Sequence, residues 1–141
     1  MKIKMLMTVL VSFFTLSLSL STFAETAVIV HPSNGDSFDQ NTISRIFLGK
    51  SKKFPGGASV IPVNLDDSDA TRANFDSSIL GKDSGQLKAY WAKLVFTGKA
   101  SPPKSVANVA EAKALVSSNP NTIAYIPADQ VDGTVKSVFT F

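Results

Sequence analysis

The chain has 141 residues, no cysteine, one histidine, and 14 basic against 11 acidic side chains, a formal charge of +3. The lack of cysteine excludes a disulfide framework, a thiolate metal site, a cysteine nucleophile and a lipid-modified cysteine. A single histidine excludes multi-histidine metal sites and leaves His31 as the sole candidate base for a serine triad.

Lys2 and Lys4 stand ahead of an apolar stretch, Met5 to Leu20, that closes on Ser21-Thr22-Phe23-Ala24. A basic start, an apolar centre and small residues at the end predict a secretory signal peptide over 1–24, cleaved after Ala24. Both lysines leave with it, so the remaining domain, 25–141, carries a formal charge of +1. That balance lacks the basic patch that nucleic acid requires. No later run approaches the roughly 20 apolar residues needed to cross a bilayer. The expectation is a periplasmic protein with no membrane insertion after cleavage. At about 117 residues it buries roughly two-thirds of its surface, enough for one core.

Ala27-Val28-Ile29-Val30-His31 predicts a buried strand that runs into the turn Pro32 to Asp36. Asp39 or Asn41 can cap a helix with Ile43, Ile46 and Phe47 on one face, stopped at Gly49. Lys50, Lys52 and Lys53, then Phe54-Pro55-Gly56-Gly57, make a surface loop. Val60 to Leu65 is a second strand, in which Pro62 marks an edge or an entry position. The cap residues Asp66 to Asp69 open another helix, with Phe75 and Ile79 inward and Gly81 at its end. Asp83 or Ser84 caps the most periodic helix, with Leu87, Tyr90, Trp91, Leu94 and Val95 on one stripe and Gly98 as the stop.

Pro102-Pro103 forces an extended link. Asn108 with Glu111 resembles a capping box before a buried stripe of Val109, Ala112, Leu115 and Val116. Thr122 to Ile126 is a strand, and Val135, Ser137, Phe139 and Phe141 alternate along a last one. Helices interleave with strands at spacings that suit parallel crossovers, which predicts a single three-layer α/β domain.

The junction Asn64 to Arg72 is the strongest candidate site. Ligands in α/β sheets lie beyond the carboxyl ends of strands, where helix N-termini present N–H groups suited to an anion. Ser68 and Thr71 add hydroxyls and Arg72 a charged fork. The plainer reading is that Ser68, Asp67 and Asp69 only cap the helix. Ser33 and Asn34, in the turn after the first strand, join this site if the first two strands are parallel. His31 reads as structural, the three lysines as a solvated face, and Tyr90 and Trp91 as core. No nucleophile elbow is present, so the chain reads as non-enzymatic and without a cofactor.

Several segments, in order, resemble phosphate-type substrate-binding proteins of ABC transporters. They are Ile43 to Gly49, Phe54 to Gly57, Val60 to Asn64, Ser68 to Phe75, Tyr90-Trp91 with Phe96-Thr97-Gly98, and Asn119-Pro120 to Ile126. The resemblance covers about 28–130 and is nearest to short, single-lobe members. It implies one lobe of a type II periplasmic binding protein: a mixed five-stranded sheet flanked by helices. The family motif is an arginine followed by Ser-Gly-Thr at a helix start. Matching Thr71 to that threonine places Asp69 at the serine, Ala70 at the glycine and Leu65 at the arginine, with Arg72 following. Three of the four positions therefore differ.

Two functions follow. One is an exported solute-binding lobe that holds phosphate or a similar oxyanion through Ser68, Asp69, Ala70, Thr71 and Arg72, helped by Ser33 and Asn34. Its implied partners are a transporter permease, a sensor protein or a second lobe. The other is an interaction or sensor domain that keeps the fold, has lost ligand capture and binds a protein.

Overall fold

Ala27, Val28, Ile29 and Val30 are fully buried, so the first strand, β1 (Thr26–Val30), needs apolar contacts on both of its faces. The computed structural model describes residues 25–141; the predicted leader, 1–24, lies outside the described residues. Four more strands complete one sheet: β2 (Ile61–Leu65), β3 (Lys104–Val106), β4 (Thr122–Pro127) and β5 (Lys136–Thr140). Their spatial order is β3-β2-β4-β1-β5, which puts β4 and β1 at the centre. β2 runs parallel to β3 and β4, whereas β1 is antiparallel to both β4 and β5. The fold is the expected mixed five-stranded α/β sheet.

Helices α1 (Gln40–Phe47) and α2 (Ala70–Phe75) close one face of the sheet. Phe47 and Phe75 meet Tyr125 of β4 there, and the Phe75 and Tyr125 rings stack 3.9 Å apart and 4° from parallel. The α2 backbone continues through a π-helical turn, Asp76–Leu80, and ends at Gly81 with φ +64°, a left-handed stop that suits glycine. α3 (Ser84–Phe96) follows, tied to the end of α1 by the Tyr90 hydroxyl, which donates to the Leu48 carbonyl, and α4 (Val109–Ser118) packs on β4 with Ala112 and Val116 buried. The caps match the sequence. Asp39 accepts from Thr42 N–H and Asp83 forms a full capping box with Gln86. Asn108 accepts from Glu111 N–H, while the Glu111 carboxylate reaches Ala107 N–H.

Three elements differ from expectation. Only Leu87 of the α3 stripe is buried; Tyr90, Trp91 and Leu94 are half-buried, and Val95 is exposed. The stripe faces clefts on both sides of the helix in place of a closed core. β3 lies where only an extended link was expected, three residues long and paired to Val63, Asn64 and Leu65. It leaves Ile61 and Pro62 uncovered on that edge, where a proline has no N–H to lose. In β5 the pairing steps from Phe139 to Ser137 while β1 steps from Val28 to Ile29, so a bulge at Val138 breaks the simple alternation.

Candidate functional site

The β2–α2 junction is built on carboxylates. Asp66, just past β2, accepts from Ser68 N–H at 3.0 Å and Ser68 Oγ at 2.6 Å. These two donors hold the Asp66 carboxyl below the usual carboxylate range. Asp69 is the N-cap of α2 and accepts from Thr71 N–H at 2.8 Å. Two of the donors that would meet an anion are thus met by the chain's own oxygens. The Thr71 hydroxyl has no partner among the described residues.

Arg72 ties the helix to the strand. Its Nη1 donates to the Leu65 carbonyl at 2.9 Å and lies 2.9 Å from Asp67 Oδ1. Its Nε donates to Asp76 Oδ2 at 3.2 Å, an i,i+4 pair in which both side chains are largely buried. Nη2 has no partner among the described residues. Asp76 is 6% exposed, and its Oδ1 is buried without a partner. Burial raises the Asp76 carboxyl above its ordinary value, outweighing the attraction of Arg72. An oxyanion that retains a proton fits these groups best, since it can donate to a carboxylate and accept from Thr71 and Arg72.

Beside the junction, Asn64 is 7% exposed. Leu65 N–H donates to the Tyr125 hydroxyl at 3.3 Å, and that hydroxyl donates to Asn64 Oδ1 at 3.0 Å. Burial pushes the Tyr125 phenol far above its ordinary value, so it stays a neutral donor. The chain of donors fixes the Asn64 amide with Oδ1 inward. Its Nδ2 makes no hydrogen bond among the described residues, and Asn64 lines a cleft of about 450 Å³ between β2, α3 and the Pro102–Ser105 link, lined also by Arg72 and Trp91.

The expected residues fall into two groups. Ser68, Asp69, Ala70, Thr71 and Arg72 come together. Ser33 and Asn34 do not join them, because β1 is antiparallel to β4: Val30 pairs with Ile123, whereas Thr26 pairs with Pro127. The turn after β1 therefore lies at the opposite end of the strands, about 17 Å away for a strand of this length. There it serves structure. Ser33 N–H and Oγ meet His31 Nδ1, Asn34 Oδ1 accepts from Asp36 N–H, and Lys136 Nζ donates to the Asn34 carbonyl. Lys50, Lys52 and Lys53 sit in an exposed loop, as expected. Trp91 departs from the core reading and lines the cleft.

Asp76 escaped the sequence reading, as did the role of Asn64, named there only as the start of the junction, and Ser105. The Arg72–Asp76 spacing of one helical turn was a usable signal for the first, and a lone amide inside the apolar strand Val60 to Leu65 for the second. Ser105, 3.5 Å from Arg72 Nη1, belongs to the unforeseen β3 and had none.

No family model matches the chain, and no curated protein matches it. Solved structures do. A protein described as a phosphate ABC transporter substrate-binding protein from Clostridium perfringens, solved with phosphate bound, matches with TM-score 0.65 and 26% identity, over 82% of this chain and 45% of its own. An ABC-type phosphate transport receptor from Vibrio cholerae matches with TM-score 0.64 and 19% identity, over 82% and 46%. PstS from Borrelia burgdorferi matches with TM-score 0.52 and 16% identity, over 73% and 41%. The chain has the fold of these periplasmic binding proteins and spans less than half of their length. They are solute-binding proteins. Among the described residues no helix is long and apolar enough to cross a membrane.

Proposed function

We propose that this chain is a non-enzymatic solute-binding lobe, exported by its 1–24 leader to the periplasm, that holds a phosphate-like oxyanion at the β2–α2 junction. The observation that carries the reading is Arg72, fixed at the end of β2 by the Leu65 carbonyl, at the helix start matched to the family motif. The phosphate-bound structural relative supports phosphate as the ligand. Asp69, Ala70 and Ser68 shape the turn that presents these donors.

Affinity is low for the lobe alone. Exposed helix-terminus contacts contribute about 0.3–1 kcal/mol each, and even millimolar binding requires about −4 kcal/mol. A second lobe, from another copy or a partner, would raise affinity by enclosing the ion. A permease or a sensor would then read the closed form.

A second reading draws on the carboxylates. Asp66 and Asp69 already satisfy N–H groups of the turn, and Asp67 and Asp76 already pair with Arg72. This favours a lobe that has kept the fold, lost ligand capture and binds a protein.

The variant Asp67→Ala separates the two. Asp67 is exposed, and its loss removes one partner of Nη1, which keeps the Leu65 carbonyl, and a repelling charge. Inorganic phosphate, followed by amide shifts, should bind Asp67→Ala about threefold more tightly than wild type, the worth of an exposed ion pair. Equal affinities would place the ion elsewhere, and no response in either protein would leave the second reading.

A further inference from the structure

The cleft beside Arg72 is much larger and more apolar than a lone phosphate needs. It measures about 450 Å³, within the range of roughly 300–1,000 Å³ found for small-molecule sites. Leu87, Trp91 and Pro103 supply apolar wall. Trp91 is held in place from behind: its ring edge rests on Gly49, where a Cβ would approach to 3.2 Å. Asn64, 7% exposed, also lines the cleft, with Oδ1 committed to Tyr125 and Nδ2 left without a partner among the described residues. Arg72 lines the same space, and its Nη2 has no partner among the described residues. Two residues with an N–H donor left unpartnered among the described residues therefore line one cleft with an apolar wall. The charged lining, Asp67, Arg72 and Lys88, has one positive charge in excess, which suits a single negative charge. Asp66 and Asp69 lie outside the lining.

We infer that the ligand is an organic oxyanion with an apolar body. Its phosphoryl or carboxylate oxygens accept from Asn64 Nδ2 and Arg72, and its body lies against Trp91, Leu87 and Pro103. The inference rests on the oxyanion reading of Arg72 and adds the part of the ligand that an inorganic ion lacks. Asn64 as a whole is only 7% exposed, so a hydrogen bond from its amide to a ligand oxygen forms in a largely dry setting, where it is stronger than in water. The body gains by leaving water against the indole and the proline ring.

The test titrates the full mature chain, 25–141, with phenyl phosphate, benzoate and inorganic phosphate, read by Trp91 fluorescence, the sole tryptophan, and by amide shifts. At least one aromatic oxyanion should bind about tenfold more tightly than inorganic phosphate and change Trp91 emission. Which one does so tells a phosphoryl head from a carboxylate. Ala92→Leu fills the cleft from an exposed helix position. It should abolish the advantage of the aromatic ligand and leave the inorganic phosphate response intact. If inorganic phosphate binds and neither aromatic oxyanion binds more tightly, this inference falls and the oxyanion reading stands. If nothing binds, both fall. An advantage that survives Ala92→Leu also overturns the inference.

Discussion

Arg72 is at once the strongest cation of the candidate site and a structural tie. It bonds the last carbonyl of β2, an exposed carboxylate on Asp67 and a buried one on Asp76. Removing it leaves Asp76 buried without a counter-charge, so Arg72→Ala should destabilise the fold by about 3 kcal/mol at neutral pH. The pH dependence has a definite sign. Burial already raises the folded pKa of Asp76 above its unfolded value, 3.8. The folded state therefore takes up this proton more readily than the unfolded chain, and stability is lost as pH rises from 3.8 through the folded pKa. Without Arg72 the folded pKa rises further. The penalty of Arg72→Ala should thus shrink as pH falls and Asp76 becomes neutral, and urea unfolding at neutral and acidic pH measures it directly. A penalty equal at both pH values would show that Asp76 is not the group left stranded. Sequence alone brought Arg72 forward for its charge next to Thr71. The one-turn spacing of Arg72 and Asp76 was legible, whereas the Leu65 carbonyl and Asp67 reach Arg72 only through the fold of the β2–α2 junction.

α3 shows how far periodicity carries. The spacing of Leu87, Tyr90, Trp91, Leu94 and Val95 located the helix, and Asp83 located its start, because cap chemistry and the 3.6-residue repeat are local. Burial is not local. Which side of that stripe meets the sheet depends on β3, a three-residue strand that two prolines made look like a link. The stripe consequently borders open clefts, and Phe96 at the helix end is 92% exposed. Two substitutions separate the local part from the tertiary part. Asp83→Ala removes the cap and should cost about 1 kcal/mol in thermal or urea unfolding. Phe96→Ser should cost less than about 0.5 kcal/mol, since it gives up almost no contact. A larger loss from Phe96→Ser than from Asp83→Ala would mean that the ring is covered in solution. The π-helical turn in Asp76–Leu80 left no mark in the sequence, whereas Gly81, its stop, was legible.

The sheet order decides what the site can contain. Alternating strands and helices sufficed to expect a three-layer mixed α/β domain, and the resemblance of segments between 28 and 130 agreed with the solved structures of phosphate-binding proteins. Strand direction was the missing quantity. Nothing within Ala27 to Val30 distinguishes a parallel from an antiparallel neighbour, since both are buried apolar runs. The antiparallel β1 removes Ser33 and Asn34 from the site and leaves the β2–α2 junction with the cleft at its side. The chain spans less than half of the length of the phosphate-binding structures whose fold it shares. The most direct test is an amide-shift map of the mature chain titrated with inorganic phosphate. Saturable shifts are expected, half-complete in the millimolar range, confined to residues 66–73 and the adjoining Asn64 and Ser105, with the 31–35 turn silent. Shifts centred on 31–35, or none at about 20 mM phosphate, well above that range, would contradict it.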